Sequence, residues 1–215
     1  MKILKAIEEN NIKYLNKIEK IPNKPLKKDK DKKSILHFAI EKQASQEMIH
    51  LLIEKGIDIN SKTNLNQTAL HFACEHQNPS FETIKLLIEK GIDINAKTDL
   101  NQTALHFACE NPNTSFETIK LLIEKGIDIN SKIDHYERNA LHFICENPNL
   151  SFETIKLLIE KGIDINSKTN LNQTTLDILC ENPNSSFDII KLLIEKGIDI
   201  NSKTKDKRTA FTFCL

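Results

Sequence analysis

Histidine and cysteine are the residue types that ligate metals and act as bases and nucleophiles, and in this 215-residue chain both recur in register. His37, His71, His106 and His142 each sit between a leucine and a phenylalanine. Cys74, Cys109, Cys145, Cys180 and Cys214 keep the same step. A metal centre needs several ligands at one point, whereas one copy per repeating segment lays them out in a row. No segment carries a zinc-type Cys/His spacing. A Ser/His/Asp set can be drawn in any segment, but near-identical copies single out none. The five glycines are isolated from one another, so none forms a phosphate-cradling loop. The chain is therefore expected to be no enzyme and to need no metal or cofactor.

The row implies an architecture. Gly56, Gly91, Gly126, Gly162 and Gly197 are spaced by 35, 35, 36 and 35 residues. A fixed period in this range signals a solenoid, one supersecondary unit stacked on copies of itself. The copy from Thr68 shows what the unit is. Thr68 precedes Ala69–Glu75, a run of good helix formers, where its hydroxyl can cap the first turn. Pro79 breaks the chain. Ser80 offers a second N-cap, and Glu82 suits the positive end of the helix dipole. Phe81, Ile84, Leu87 and Ile88 recur at helical spacing, and Gly91 fits the left-handed position after a helix. Ile92–Asn95 alternates as a short extended arm, and a turn leads into the next copy. Such a unit is too small to bury both helices alone, so neighbours must supply the missing cover.

Thr68-Ala69-Leu70-His71, the small pair Ala73-Cys74, Leu86-Leu87 and Gly91-Ile92-Asp93-Ile94-Asn95 together resemble the ankyrin repeat, and the match recurs around Thr103, Asn139 and Thr174. It covers about residues 34–215. The resemblance implies an all-α, ankyrin-type solenoid of helix-loop-helix repeats joined by β-hairpin-like turns. It gives the motif histidine a structural role in hydrogen bonds near the turn. Three features depart from the family pattern. The motif proline is absent, and Asn66, Asn101 and Asn172 replace the turn glycine, asparagine being the next most tolerant of positive φ. The loop between the two helices is about two residues longer than the family's period allows.

Organisation follows from the period. Residues 1–33 read as an N-terminal capping helix pair and a basic turn, with Ile3, Leu4 and Ile7 on one helix and Ile12, Leu15 and Ile18 on the other. Repeats then occupy 34–67, 68–102, 103–138, 139–173 and 174–208, and 209–215 starts a sixth that stops inside its first helix. That last segment reads either as a crude cap or as the edge of a longer array. In the fifth repeat Asp177 stands where the others have histidine. Lys24–Lys33 holds six lysines against two aspartates. It reads chiefly as a solvated turn, with a nuclear-import or anionic-ligand patch as the competing reading.

Thirty basic and thirty acidic side chains cancel, so nucleic acid is disfavoured as a partner for want of a basic excess. The N-terminus carries charges throughout and is no secretory signal. No apolar run approaches the roughly 20 residues that span a bilayer. Equivalent cysteines in stacked layers should lie about 10 Å apart, beyond disulfide reach. All five are thus expected as free, buried thiols in a reducing compartment, the cytoplasm, with the nucleus open to a chain of this kind.

Function then rests on surfaces. In the resembling family binding comes from the turn tips and the first-helix face. Leu65, Leu100 and Leu171, with His135 and Tyr136 in the divergent copy, place apolar groups in polar turns, and such groups anchor partners. Glu41, Glu75, Glu110, Glu146 and Glu181 form a second row, which would favour a basic peptide. The resemblance also makes Asn60, Asn95, Asn130, Asn166 and Asn201 possible hydroxylation positions. The expected function is a monomeric scaffold or adaptor that binds protein partners. The alternative is a targeting or regulatory segment of a larger signalling enzyme, a kinase or ubiquitin-ligase component.

Overall fold

The computed structural model describes residues 2–21, 26 and 29–212. The chain forms two compact units, residues 1–99 and 100–215. Among the described residues all regular structure is helical, with no strand.

In the first unit, α1 (Lys2–Glu8) and α2 (Ile12–Asn16) make a short pair that packs on α3 (Ile35–Glu41) and α4 (Gln46–Glu54), which in turn pack on α5 (Ala69–Glu75) and α6 (Phe81–Glu89). The expected apolar faces meet there: Ile7, Leu15, Leu36, Met48, Leu52, Leu70 and Leu87 are buried. Much of the Lys24–Lys33 segment lies outside the described residues. Of its described part, Lys33 pairs with Glu41 at 2.8 Å.

The second unit stacks α7 (Ala104–Glu110) on α9 (Ala140–Glu146) and that on α11 (Thr175–Glu181). Their partners α8 (Phe116–Glu124), α10 (Phe152–Glu160) and α12 (Phe187–Glu195) pack in the same order. A 3-10 turn, Ala210–Thr212, packs against α11 with Ala210 buried and Phe211 exposed. Phe213, Cys214 and Leu215 lie outside the described residues.

Helix ends follow the local chemistry. Ser45, Ser80, Ser115, Ser151 and Ser186 each accept a backbone N–H of the first turn that follows, satisfying a donor that the helix leaves open. The glycine after each of these helices has φ between +86° and +87°, the left-handed region an L side chain enters only at a cost. The long helix–helix loop has a physical reason. Asn147 Nδ2 donates to the Cys109 carbonyl at 2.9 Å and Asn182 Nδ2 to that of Cys145 at 2.7 Å. Each asparagine thus satisfies a carbonyl at the C-terminus of the preceding short helix, and its Oδ1 accepts the Asn149 or Asn184 N–H.

Cys74, Cys109 and Cys145 are buried free thiols as expected, and burial pushes the Cys74 thiol up to about 12. Cys180 departs from the expectation. It is half-buried and disulfide-bonded. The segment beside it is a 3-10 turn rather than a full helix pair, so the layer spacing that keeps equivalent cysteines apart does not hold there. The reducing compartment inferred from five free thiols loses that support at Cys180.

Ser131, Ser167 and Ser202 hold equivalent positions, and each buries a hydroxyl with no hydrogen-bond partner. Ala96 fills the same position in the first unit and is buried without such a group. An orphaned buried polar group costs roughly 1–3 kcal/mol. Ser131→Ala and Ser167→Ala should therefore each raise stability by about 1 kcal/mol, read as a higher urea midpoint at unchanged slope. A lower midpoint would show that the hydroxyls are satisfied in solution.

The histidine ties and the turn-tip surface

The motif histidines build the tips from beneath. His71 Nδ1 accepts the Thr68 N–H at 3.0 Å and lies 2.9 Å from its hydroxyl, while Nε2 meets the Ala96 carbonyl at 3.1 Å. An Nδ1 that accepts a backbone N–H leaves the proton on Nε2, so the ring is neutral and donates to the arm that follows. His106 repeats this with Thr103 and the Ser131 carbonyl, and His37 with Ser34 and the Gln67 carbonyl. All are buried. The row is thus a set of caps joined to the next turn, matching the structural role that the resemblance implied. Among the described residues no cluster of three or more His, Cys, Asp or Glu side chains could hold a metal.

On this base each tip is closed by backbone. Thr169 N–H donates to Gln173 O at 2.9 Å, and the Thr169 hydroxyl accepts the Leu171 and Gln173 N–H groups, both at 3.2 Å. Thr63 does the same for Leu65 and Gln67. Asn66, Asn101 and Asn172 then turn the chain at φ of 57°, 60° and 59°. Neighbouring tips are bonded to one another. Asp99 N–H donates to Leu65 O in the first unit, at 3.1 Å. In the second, Asp134 donates to Leu100 O, Asn170 to Tyr136 O and Lys205 to Leu171 O, at 2.9, 2.9 and 3.0 Å.

The tip side chains point to solvent. Leu65, Leu100, Tyr136 and Leu171 are 57%, 48%, 56% and 53% exposed. His135 is exposed beside Tyr136. The Tyr136 tip differs in backbone too. Ile133 stands where Thr63 and Thr169 stand and has no hydroxyl to hold the turn. The tip, one residue longer, closes through Glu137 N–H to Ile133 O at 3.1 Å, with His135 at φ 65° and Glu137 at φ 55°. Two non-glycine residues in the left-handed region store strain, and between them they hold Tyr136 outward.

The glutamates line the ends of the short helices and are exposed. Glu41 is paired with Lys33 at 2.8 Å, and Glu146 with the Arg138 guanidinium at 2.5 Å, while Glu75 takes the Gln67 amide at 3.4 Å. Glu146 and Glu181 border a cleft of about 290 Å³ with Pro148 and Ile178. The turn asparagines connect neighbours. Asn60 Oδ1 accepts Asp93 N–H at 2.7 Å, Asn130 that of Asp164 at 2.8 Å, and Asn166 that of Asp199 at 2.8 Å. Asn95 and Asn201 occupy the same place in their arms, and Asn95 and Asn201 N–H groups both bond the aspartate two residues earlier at 3.0 Å.

Ankyrin-repeat models match residues 36–81, 60–133 and 131–204. The chain belongs to the ankyrin-repeat family. No curated protein sequence matches it. Among solved structures, the ankyrin repeat domain of Bcl-3, described as a unique member of the IkappaB protein family, superposes with a TM-score of 0.76 at 22% identity. That match covers 99% of this chain and 93% of that one. A chain in the complex of the Bd0816 predatory endopeptidase from Bdellovibrio bacteriovorus with immunity protein Bd3460 gives 0.71 at 24% identity, covering 83% and 89%. These likenesses show the fold. No described helix of this ankyrin-repeat chain is long and apolar enough to cross a membrane.

Sequence reasoning missed two sets of residues here. The tip-closing threonines were visible only as polar turn residues. The partners of the glutamates, Lys33 and Arg138, lie eight residues before them, across a turn. That fixed offset was the signal.

The fourth motif histidine, His142, accepts the Asn139 N–H on Nδ1 at 3.2 Å, but its buried Nε2 has no hydrogen-bond partner. Burial, and then the Arg138 guanidinium, hold His142 down at about 4 from an ordinary 6.5, against the opposing pull of the Ser167 and Gln173 carbonyls. The unfolded chain therefore binds the extra proton first. The contribution of His142 is complete above about pH 6.5 and is lost as pH falls through 6.5 towards 4, about 3 kcal/mol in all. Urea midpoints followed across that window should fall less steeply for His142→Gln than for wild type. Equal slopes would show that the ring titrates normally.

Proposed function

We propose that this ankyrin-repeat chain is a non-catalytic protein-interaction module, a scaffold or adaptor that takes a protein partner along its turn tips. The observation that carries the reading is the exposed apolar set Leu100, Tyr136 and Leu171 of the second unit, held outward on turns whose backbones are bonded to one another, with Leu65 exposed on its own tip in the first unit. Apolar and aromatic groups on a rigid support bind with little loss of conformational entropy. In the described residues the four motif histidines are spent on caps and three cysteines are buried thiols, which supports recognition over chemistry. The glutamate row adds polar rim to the same interaction, with Glu41 and Glu146 held by Lys33 and Arg138. Strain and sequence difference at His135–Arg138 make that tip the place where specificity for one partner over another is best supported.

The test is an affinity capture from native lysate with wild type beside Leu100→Ser/Leu171→Ser, after thermal melts show that the two are equally folded. The expected outcome is a set of proteins retained by wild type and depleted at least about tenfold on the variant, about 1.4 kcal/mol of binding. The same set on both proteins would move the interaction away from the tips.

A further inference from the structure

We propose that Cys180 is bonded to Cys214 and that this bond is a redox-sensitive latch on the fifth repeat, closed when oxidised and released by a dithiol. The bonding partner follows by elimination. The chain has five cysteines. Cys74, Cys109 and Cys145 are free thiols, and Cys180 is disulfide-bonded. Cys214 is the one cysteine left within the chain.

The latch sits where a non-covalent tie is missing. In α7 the motif histidine, His106, joins its helix to the arm that follows, through Nε2 and the Ser131 carbonyl at 3.0 Å. Asp177 holds that position in α11. It accepts the Thr174 N–H and hydroxyl on Oδ2, while Oδ1 is buried with no partner. A carboxylate has only acceptors, so Asp177 offers the arm no donor. On that arm Ser202, the equivalent of Ser131, likewise buries a hydroxyl without a partner. The arm is bonded to the repeat before it, Asp199 N–H to Asn166 Oδ1 at 2.8 Å and Lys205 N–H to Leu171 O at 3.0 Å, but Asp177 does not tie it to its own α11. The bond from Cys180, three residues further along that helix, closes a loop over α12, the fifth arm, its tip and the 3-10 turn Ala210–Thr212.

Without the bond, the retained end is held by packing and by local bonds. The 3-10 turn packs on α11 with Ala210 buried, and the Thr212 N–H and hydroxyl both donate to Thr209 O, at 2.9 and 2.6 Å. Cross-linking two points far apart in sequence removes open conformations of the chain between them. Cys180 is half-buried, whereas the three free thiols are buried, so it is the described cysteine that an attacking thiolate can reach. Release is a thiol–disulfide exchange. A thiolate of the dithiol bonds to one of the two sulfurs, and the Cys180–Cys214 bond breaks. The dithiol's second thiolate then displaces the sulfur first attacked and closes the dithiol's own disulfide. Two electrons pass to the protein, the two cysteine thiolates take up the dithiol's two protons, and the dithiol leaves oxidised.

The full chain, purified without reductant, should be unfolded in guanidinium containing iodoacetamide and then digested. Cys74, Cys109 and Cys145 should be alkylated, and the peptides holding Cys180 and Cys214 should be recovered cross-linked, from a band that runs as a monomer without reductant. Hydrogen exchange of the native protein then tests the latch. Dithiothreitol should speed exchange of the amides at 198–212 by at least about tenfold and leave those of α7 and α9 unchanged. Reoxidation should restore the slow rates. Cys214→Ser should exchange at the fast rate with and without dithiothreitol. Alkylation of Cys180 and Cys214 before any reduction, or Cys180 linked to a second chain, would overturn the pairing. Cross-linked peptides with the same exchange at 198–212 in both redox states would leave the bond in place and overturn the latch.

Discussion

The structure depends on a neutral imidazole that accepts at one nitrogen and donates at the other. In His71 and His106 that ring sits under the first turn of a helix, takes the N-cap N–H on Nδ1, and hands its own proton to a carbonyl of the following arm. One side chain therefore fixes where a helix starts and where the next turn must lie. Burial makes an unmet bond costly, because a polar ring out of water has only protein groups to satisfy its two nitrogens, and at His142 the buried Nε2 is left without a partner. Asp177 shows the other half of the rule. It still caps, accepting from Thr174 N–H and hydroxyl at 2.6 and 2.8 Å, but a carboxylate has no proton to give the arm, and its second oxygen is left buried without a partner.

The tips inherit their rigidity from that tie. Each turn is closed by its own threonine or by an extra residue, and is then bonded to its neighbour through backbone alone. Main-chain bonds leave side chains uncommitted. Leu100, Tyr136 and Leu171 can thus differ from copy to copy without disturbing the stack, which is the separation of scaffold from surface that repeat proteins use. The same separation explains why the copies are near-identical in their helices and diverge most at 133–138.

Charge is distributed by the same geometry. Arg138 does three things at once: it pairs with Glu146, lies over the Phe143 ring at 4.4 Å, and depresses the basicity of His142. A glutamate at the end of a short helix opposes the dipole there, and a cation reaching back from the turn relieves it. Lys33 plays the equivalent part for Glu41 and sits 5.7 Å from the Phe72 ring.

Much of the fold was legible in the residues alone. A period of 35, serine caps, glycines after each long helix and asparagines in each turn are local rules, decided by a few dihedrals and hydrogen bonds within one copy. The single copy with 36 residues announced the odd tip at His135–Glu137. What the sequence could not decide are the matters that need two copies side by side. Whether a glutamate is free or held depends on which side chain reaches it across a turn. The reason for the long loop, an asparagine amide bonded to the carbonyl of the layer before, exists only once layers stack. Cys180 follows the cysteine pattern perfectly in sequence and departs from it in space, because its helix has a full layer on one side and a 3-10 turn on the other. Periodicity in sequence fixes which positions are equivalent, and only tertiary packing fixes what each of them touches.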